Sequence, residues 1–227
     1  MQNIILTNTG IFKLTFVLLI GTLTFCSCRS SNKSMTVTNA VTNENKAELE
    51  NRFLIVNKSR SAHANSNDTS ISERVVIALN EVKIRSGKKN IRLTRGDCAV
   101  FQFGESYSLL KGDYFEVSIK KNHPKPVKPK VWHEPTKNAS VFENEDFRIF
   151  REQLGAGEER AFHSHLERLV VRLNKVQLTD PRFYPNGQEG VGIQEPNTIK
   201  FAEPVEHVVK NLGKIPLFNI VLEFKPQ

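Results

Sequence analysis

Residues 73–84 read ERVVIALNEVKI and residues 167–178 read ERLVVRLNKVQL, and six of the twelve positions are identical. Three of the other six positions exchange one aliphatic residue for another. The match extends upstream without a gap, where residues 53–56 (FLIV) fall on residues 147–150 (FRIF). Once a short insertion is allowed, two downstream segments match as well: 108–112 with 207–211, and 115–119 with 218–222. This internal repeat indicates that one structural unit is present twice.

Each copy has the residue pattern of β-structure. Val75, Ile77 and Leu79 alternate on one face of a strand, and positions 169, 171 and 173 repeat that alternation. Turn signals such as Ser86-Gly87 separate further β-branched and Phe-containing runs, and no stretch keeps a helical period over a helical length. Several short strands per copy predict an antiparallel sandwich or barrel. Each copy has roughly 75–85 residues, near the lower limit for an independent core, so we expect the two to pack together.

Composition narrows the class of protein further. The chain has 227 residues, of which 39% are hydrophobic and 25% charged, which excludes a wholly disordered chain, a collagen and a polytopic membrane protein. The net charge of +8 is too small to predict a nucleic-acid partner unless it is focused on one face. The sequence has no P-loop, dinucleotide fingerprint, serine-nucleophile elbow or CxxC pair.

The N-terminal segment is typical of an export signal. Residues 1–27 contain one charged side chain, Lys13, followed by the apolar run 14–25 (LTFVLLIGTLTF). Twelve apolar residues are too few to span a bilayer but suit the core of a signal peptide. The small residue Ser27 precedes Cys28, so the segment resembles a bacterial lipoprotein signal. That resemblance implies export, acylation of Cys28 and a membrane partner through the lipid anchor, in a bacterial membrane or the periplasm. The alternatives are an uncleaved anchor or an ordinary signal peptide.

Composition also sets the expected boundaries. Residues 28–47 are rich in Ser, Thr and Asn, and are expected to form a flexible tether. Residues 48–122 form the first unit and 141–227 the second. The segment 123–140 between them has four prolines within its first thirteen residues and several lysines, which favours a solvated, semi-rigid linker. Cys98 is the one thiol of the folded part, and we expect it to be a buried core residue.

Three histidines are the candidate site residues. His163 and His165 stand at i and i+2, so on a strand both imidazoles project from one face and can converge on one ion. His207 lies far along the chain, where a barrel could bring it to the other two. The alternative is that these histidines are ordinary polar lining of a barrel mouth.

The pattern around these histidines resembles the cupin superfamily. Gly157, His163 and His165 match the first cupin motif, a glycine followed after five residues by His-x-His. His207 and Asn211 match the end of the second motif. The resemblance implies two tandem cupin-type jelly-roll or β-sandwich units. It also implies one divalent metal bound by the two early histidines, a glutamate and the late histidine.

Two features leave open whether the glutamate is a metal ligand. Glu167 is the candidate fourth ligand, but it follows His165 by two residues, sooner than in the usual motif, and Pro204 stands where that motif has a glycine. In the internal alignment Thr69, Ile71 and Ser108 take the places of the three histidines, which predicts a first unit without metal ligands. Its Glu73 nevertheless matches Glu167. Glu167 is therefore either a metal ligand or half of a strand-end ion pair with Arg168 or another cation.

This donor set determines the expected cofactor. Three imidazoles, with or without a carboxylate, suit Fe, Mn, Ni, Cu or Zn and are poor ligands for Mg or Ca. Free coordination positions are typical of a working site, which could activate water, polarise a carbonyl or bind dioxygen. The expected function is metal-dependent chemistry on a small molecule, of the oxygenase or isomerase type, or binding of one. The alternative is a non-catalytic ligand-binding or structural lipoprotein. A second copy of the chain is a candidate partner in a homodimer.

We expect Cys28→Ser to move the protein from the membrane fraction to the soluble periplasmic fraction, because the acylated residue is lost. The measurement is fractionation with metabolic fatty-acid labelling, and Cys26→Ser is the matched control, since Phe25 is too bulky to precede a lipidated cysteine. Labelling that survives in Cys28→Ser but is lost in Cys26→Ser would contradict the assignment.

Overall fold

The structure is a computed structural model that describes residues 47–59, 63–64, 69–128, 131–133, 138–180 and 190–226. The predicted export signal, Cys28 and all of the predicted tether except Ala47 lie outside the described residues. The described part of the chain is built from strands and contains no helix, and so none that could cross a membrane. The all-β prediction is confirmed.

The described residues form eighteen strands, and the first nine have the following bounds: β1 Leu49–Glu50, β2 Leu54–Ser59, β3 His63–Ala64, β4 Ile71–Ala78, β5 Val82–Ser86, β6 Lys89–Leu93, β7 Cys98–Gln102, β8 Tyr107–Lys111 and β9 Tyr114–Lys120. The second nine are β10 Ala139–Glu143, β11 Phe147–Leu154, β12 Glu159–His165, β13 Arg168–Arg172, β14 Val176–Asp180, β15 Gly190–Gln194, β16 Thr198–Ala202, β17 Val205–Lys210 and β18 Leu217–Phe224.

The two halves have the same strand order. One five-stranded sheet runs β1-β2-β9-β4-β7, and the other runs β10-β11-β18-β13-β16, which is the same order nine strands later. The first half has a second sheet, β3-β8-β5-β6. Its counterparts in the second half are the pairs β12-β17 and β14-β15, which a bridge between Leu178 and Asn211 connects. Each half is therefore a two-layered antiparallel unit, as the repeat predicts.

Strand register corrects the sequence alignment in the last strand. Arg74 lies opposite Ser118, and Arg168 lies opposite Glu223, so Ser118 and Glu223 occupy equivalent places. The sequence alignment instead matched Ser118 with Val221, two residues earlier. A shift of two residues keeps every side chain on the same face, so the hydrophobic pattern could not reveal it.

A second correction concerns the strand that carries the paired histidines. By strand order the counterpart of β12 is β3, at residues 63–64, and not the region of Thr69 and Ile71 that the ungapped alignment predicted. Six residues separate β3 from β4, whereas only two separate β12 from β13. In the pair of β3 and β8, His63 lies opposite Ser108, and in the pair of β12 and β17, His163 lies opposite His207.

The core that joins the halves lies between the two five-stranded sheets. Aromatic rings meet there across the repeat, with the ring centre of Phe53 4.7 Å from that of Phe224 and 5.3 Å from that of Phe201. Each fully buried side chain of this kind contributes roughly 1.5–3 kcal/mol. The buried members of this shared core are Phe53, Leu54, Val56, Val75, Ile77, Leu79, Phe115, Val117, Ile119, Phe147, Ile149, Leu169, Val171, Leu173, Ile220, Leu222 and Phe224.

Close backbone approach and polar contacts accompany the shared core. Gly96 has a φ of +82°, and a Cβ there would lie 2.6 Å from the ring of Phe218 in the other half. Arg151 donates to Asp97 across the halves at 2.7 Å, and Arg95 donates to Asn197 at 2.9 Å.

Two expectations about the middle of the chain need qualification. The segment 123–140 is not simply solvated, because His123 is buried with its ring centre 4.8 Å from that of Phe224, although Val127 is 84% exposed. His133 pairs with β12, since its carbonyl accepts from the backbone N–H of Ser164 at 2.7 Å. Cys98 is half-buried against the shared core, and burial raises the pKa of its thiol to about 12.

We expect residues 138–227, expressed alone, to give an aggregated or molten product. Removing the first half exposes the inner face of the second five-stranded sheet, and a core of this size is then too small to stabilise the chain. Calorimetry against residues 47–227 provides the measurement and its control. Sharp cooperative unfolding of the short fragment would show that the shared core is dispensable.

Candidate metal centre

A turn at Gly157 and the buried side chain of Asn211 connect two strands at one end of the second unit. Gly157 has a φ of +72°, a conformation that favours glycine, and its N–H donates to the carbonyl of Asn211 at 2.9 Å. The N–H of Asn211 donates back to Glu158 at 2.9 Å. The Asn211 side chain donates to the carbonyl of Leu154 and accepts from the N–H of Gly213. These motif residues therefore fasten the start of β12 to the end of β17.

That fastening sets the register in which the histidines meet. In the antiparallel pair of β12 and β17, His163 lies directly opposite His207, and His165 follows two residues later on the same face. The register shifts between Arg160 and His163, and Arg160 is buried as well. Sequence and structure agree that the three predicted histidines converge.

The three imidazoles form one compact group. Their candidate ligand atoms lie within 4.8 Å of one another. The Nε2 atoms of His163 and His165 are 3.1 Å apart, and the ring centres of His163 and His207 are 4.5 Å apart. His163 and His165 are only 1% and 2% exposed.

Hydrogen bonds assign the protons of two of these rings. The Nδ1 of His163 lies 2.8 Å from the carbonyl oxygen of Ala161, which can only accept, so this nitrogen carries the hydrogen. The Nδ1 of His165 lies 2.8 Å from Oε2 of Glu223 and donates to that carboxylate. In the neutral rings both Nε2 atoms then present lone pairs to each other at 3.1 Å. Two facing acceptors are unfavourable unless a shared cation or donor lies between them.

The surroundings keep the rings neutral. Burial lowers the pKa of all three histidines, well below the usual value for His165 and to about 2 for His207. Nearby positive charges act in the same direction, including Arg160 and Arg168. Neutral imidazole is the form that binds metals.

His207 provides the clearest indication of a missing partner. Both of its ring nitrogens are buried and have no hydrogen-bond partner among the described residues. A buried polar atom without a partner costs about 1–3 kcal/mol, and such atoms are uncommon in folded proteins. An ion held between the three rings would be a partner for the ring nitrogen of His207 that carries a lone pair.

The donor set fits a divalent transition metal. Two imidazole nitrogens at 2.0–2.1 Å from one ion lie roughly 3–3.4 Å apart, which matches the separation of the His163 and His165 nitrogens. The group contains nitrogen ligands only, which suits Fe, Mn, Ni, Cu or Zn better than Mg or Ca.

Glu223 is a site residue that sequence reasoning missed. It is 1% exposed, and its Oε1 accepts from Arg148 at 2.7 Å while its Oε2 accepts from His165. Burial raises the pKa of Glu223, and the Arg148 guanidinium opposes that rise. A carboxylate that accepts from a ligating imidazole fixes its orientation and makes it a stronger ligand. The only sequence signal was a lone acid within a largely apolar strand, LFNIVLEF.

Comparisons with known proteins match this architecture. No protein-family model matches the chain, and no curated protein matches it. A cupin 2 conserved barrel domain protein from Leptotrichia buccalis is 11% identical with a TM-score of 0.52, over 78% of this chain and 86% of its own. An IolB-like protein from Salmonella typhimurium LT2 is 9% identical with a TM-score of 0.52, over 77% and 84%. An oxalate decarboxylase is 12% identical with a TM-score of 0.51, over 77% and 69%.

The fold is that of the cupins. At this level of identity the likeness concerns architecture alone, so it confirms the predicted jelly-roll fold.

The glutamate that follows the cupin His-x-His has a different neighbour from the one expected. Glu167 lies outside the three-histidine group, and its Oε1 is 3.8 Å from Arg52 in the first half, while Arg168 donates to backbone carbonyls. Of the two partners expected for an ion pair, Arg168 or another cation, the structure shows the second, Arg52. Glu73, the counterpart of Glu167, accepts from Asn144 in the second half at 3.0 Å. Each glutamate reaches across to the other half, which explains why the pair recurs in a unit without the histidines.

The interior of the second cupin unit is polar. Gln194 donates to Asn219 at 2.7 Å, Asn219 donates to Glu152 at 2.9 Å, and Glu152 lies 3.4 Å from Arg160. The equivalent interior of the first unit is mainly apolar, and its buried cluster is Val76, Ala78, Val82, Ile84, Leu93, Phe101, Tyr107 and Tyr114. Four residues form the corresponding cluster of the second unit, namely Leu154, Val176, Val209 and Leu217. Buried polarity is thus concentrated around the histidines.

We expect the metal-free protein to lose stability as pH falls below the ordinary histidine pKa. The histidines of the unfolded chain then become protonated, while the buried imidazoles of the folded chain stay neutral. For each such imidazole the free energy of unfolding falls by about 1.4 kcal/mol per pH unit. Urea unfolding of chelator-treated protein across this range measures the effect, and His207→Gln should show a shallower pH dependence. The control is His133→Gln at an exposed imidazole. An unchanged slope in His207→Gln would contradict the burial of a neutral ring.

Proposed function

We propose that His163, His165 and His207 hold one divalent transition metal in the second cupin unit, and that the protein acts on or binds a small molecule at that ion. The observation that carries this proposal is the set of facing Nε2 atoms together with the two buried, unpartnered nitrogens of His207. The polar interior and the neutral imidazoles support it.

The chain's own residues have distinct parts in this function. The three imidazoles hold the ion, while Glu223 and Arg148 fix the orientation of His165 through its Nδ1–H. When bound, a divalent metal polarises a carbonyl group or activates water or dioxygen. Arg160 is buried, faces the same interior, and has an Nε atom without a partner among the described residues. This Nε–H favours a bound molecule that offers it a hydrogen-bond acceptor.

We also propose that the protein is exported and attached to a membrane through an acylated Cys28. The support is the apolar run 14–25 and the small residue Ser27 before Cys28. A site on the exported side of a membrane acts on molecules of that compartment.

We expect wild-type protein, purified without a histidine tag and reconstituted separately with Fe, Mn, Ni, Cu or Zn, to bind about one ion per chain. His163→Ala and His207→Ala should lose most of that ion, because two imidazoles seldom hold a divalent metal tightly. Glu223→Gln should weaken metal affinity about 10–100-fold. Metal content by mass spectrometry provides the measurement.

Glu167→Gln, with Glu73→Gln as its matched control in the first half, tests the fourth ligand. We expect both variants to keep the metal. A loss in Glu167→Gln equal to that in the histidine variants would make Glu167 a ligand, and absence of metal in the wild type would overturn the proposed function.

A further inference from the structure

Glu223 lines a cleft that contains none of the three histidines. This cleft of about 160 Å³ opens between the segment that contains Trp132 and the end of β18. Leu166 and Phe224, both buried, contribute its apolar lining, and Trp132 contributes an aromatic ring. A cavity of about 150 Å³ is large enough for a benzene ring.

Among the described residues that line this cleft, positive charges outnumber negative ones. Lys128, Arg148 and Lys225 line it, against Glu143 and Glu223. Both acids are already engaged, since Glu223 accepts from Arg148 and His165, and Glu143 accepts from Lys225 at 2.9 Å.

Lys128 is the cation that remains. Its ammonium lies 5.4 Å from the centre of the Trp132 ring, and among the described residues it has no carboxylate within ion-pair distance. A cation held beside an aromatic face, with a second cation deeper in the cleft, is complementary to a ligand that has an aromatic body and one acidic group.

We propose that this cleft binds a small aromatic carboxylate. The ring packs against Trp132 and Leu166, and the carboxylate lies towards Lys128 and Arg148. The cleft shares Glu223 with the histidine group but contains none of the three histidines, so this proposal stands whether or not they hold a metal.

The test uses the metal-free protein and benzoate as the probe. Trp132 is the only tryptophan of the chain, so its fluorescence reports on the cleft. We expect a saturable change with one site per chain. Lys128→Gln should weaken binding up to about fivefold, as expected for one exposed charge contact. Lys89→Gln, at an exposed lysine of β6, is the matched control and should bind as the wild type does.

Two further probes separate the parts of the proposal. Benzamide keeps the ring without the charge, and inorganic phosphate keeps the charge without the ring, so both should bind more weakly than benzoate. Calorimetry with Trp132→Leu provides a readout that does not depend on fluorescence, and binding should weaken there too. Absence of saturable benzoate binding, or equal binding of benzamide or phosphate, would overturn the proposal.

Discussion

The apolar contact between the two five-stranded sheets is the constraint on which the rest of the molecule depends. Each of these sheets is covered on both faces, because one face packs on its own unit and the other on its counterpart. Strand β4 shows this directly, with Val75 and Ile77 in the shared core and Val76 in the core of the first unit. Apolar burial in the shared core can therefore offset a small apolar core within one of the units.

The small apolar core is that of the second unit. Its interior contains the histidines, buried arginines and amides, and few apolar side chains, and such a group of polar residues is costly to bury. The described residues of the first unit have an aliphatic and aromatic interior, contribute to the shared core, and include no matching group of three histidines. The first copy thus favours stability, whereas the second tolerates the buried polar residues around the histidines.

The sequence predicted the all-β class, the duplication and the three histidines, because alternation and motif spacing are local signals. It could not predict Glu223, whose importance arises only when β13 and β18 pair and place its carboxylate beside His165. The alignment failed at β3 because an insertion before β4 leaves no trace in the strand pattern. The sequence could not predict the partner of Glu167 either, because Arg52 lies in the other half of the chain.

Under the proposed function, the all-nitrogen donor set of the histidine group determines which ion it would hold most tightly. Three imidazoles bind divalent metals in the Irving–Williams order, so Cu²⁺ and Zn²⁺ outcompete Mn²⁺ and Fe²⁺ at equal supply. A site of this composition does not reverse that ranking by ligand type. Metal supply in the place where the chain folds would then decide which ion the group holds, and a change of compartment would exchange the ion without any change in sequence.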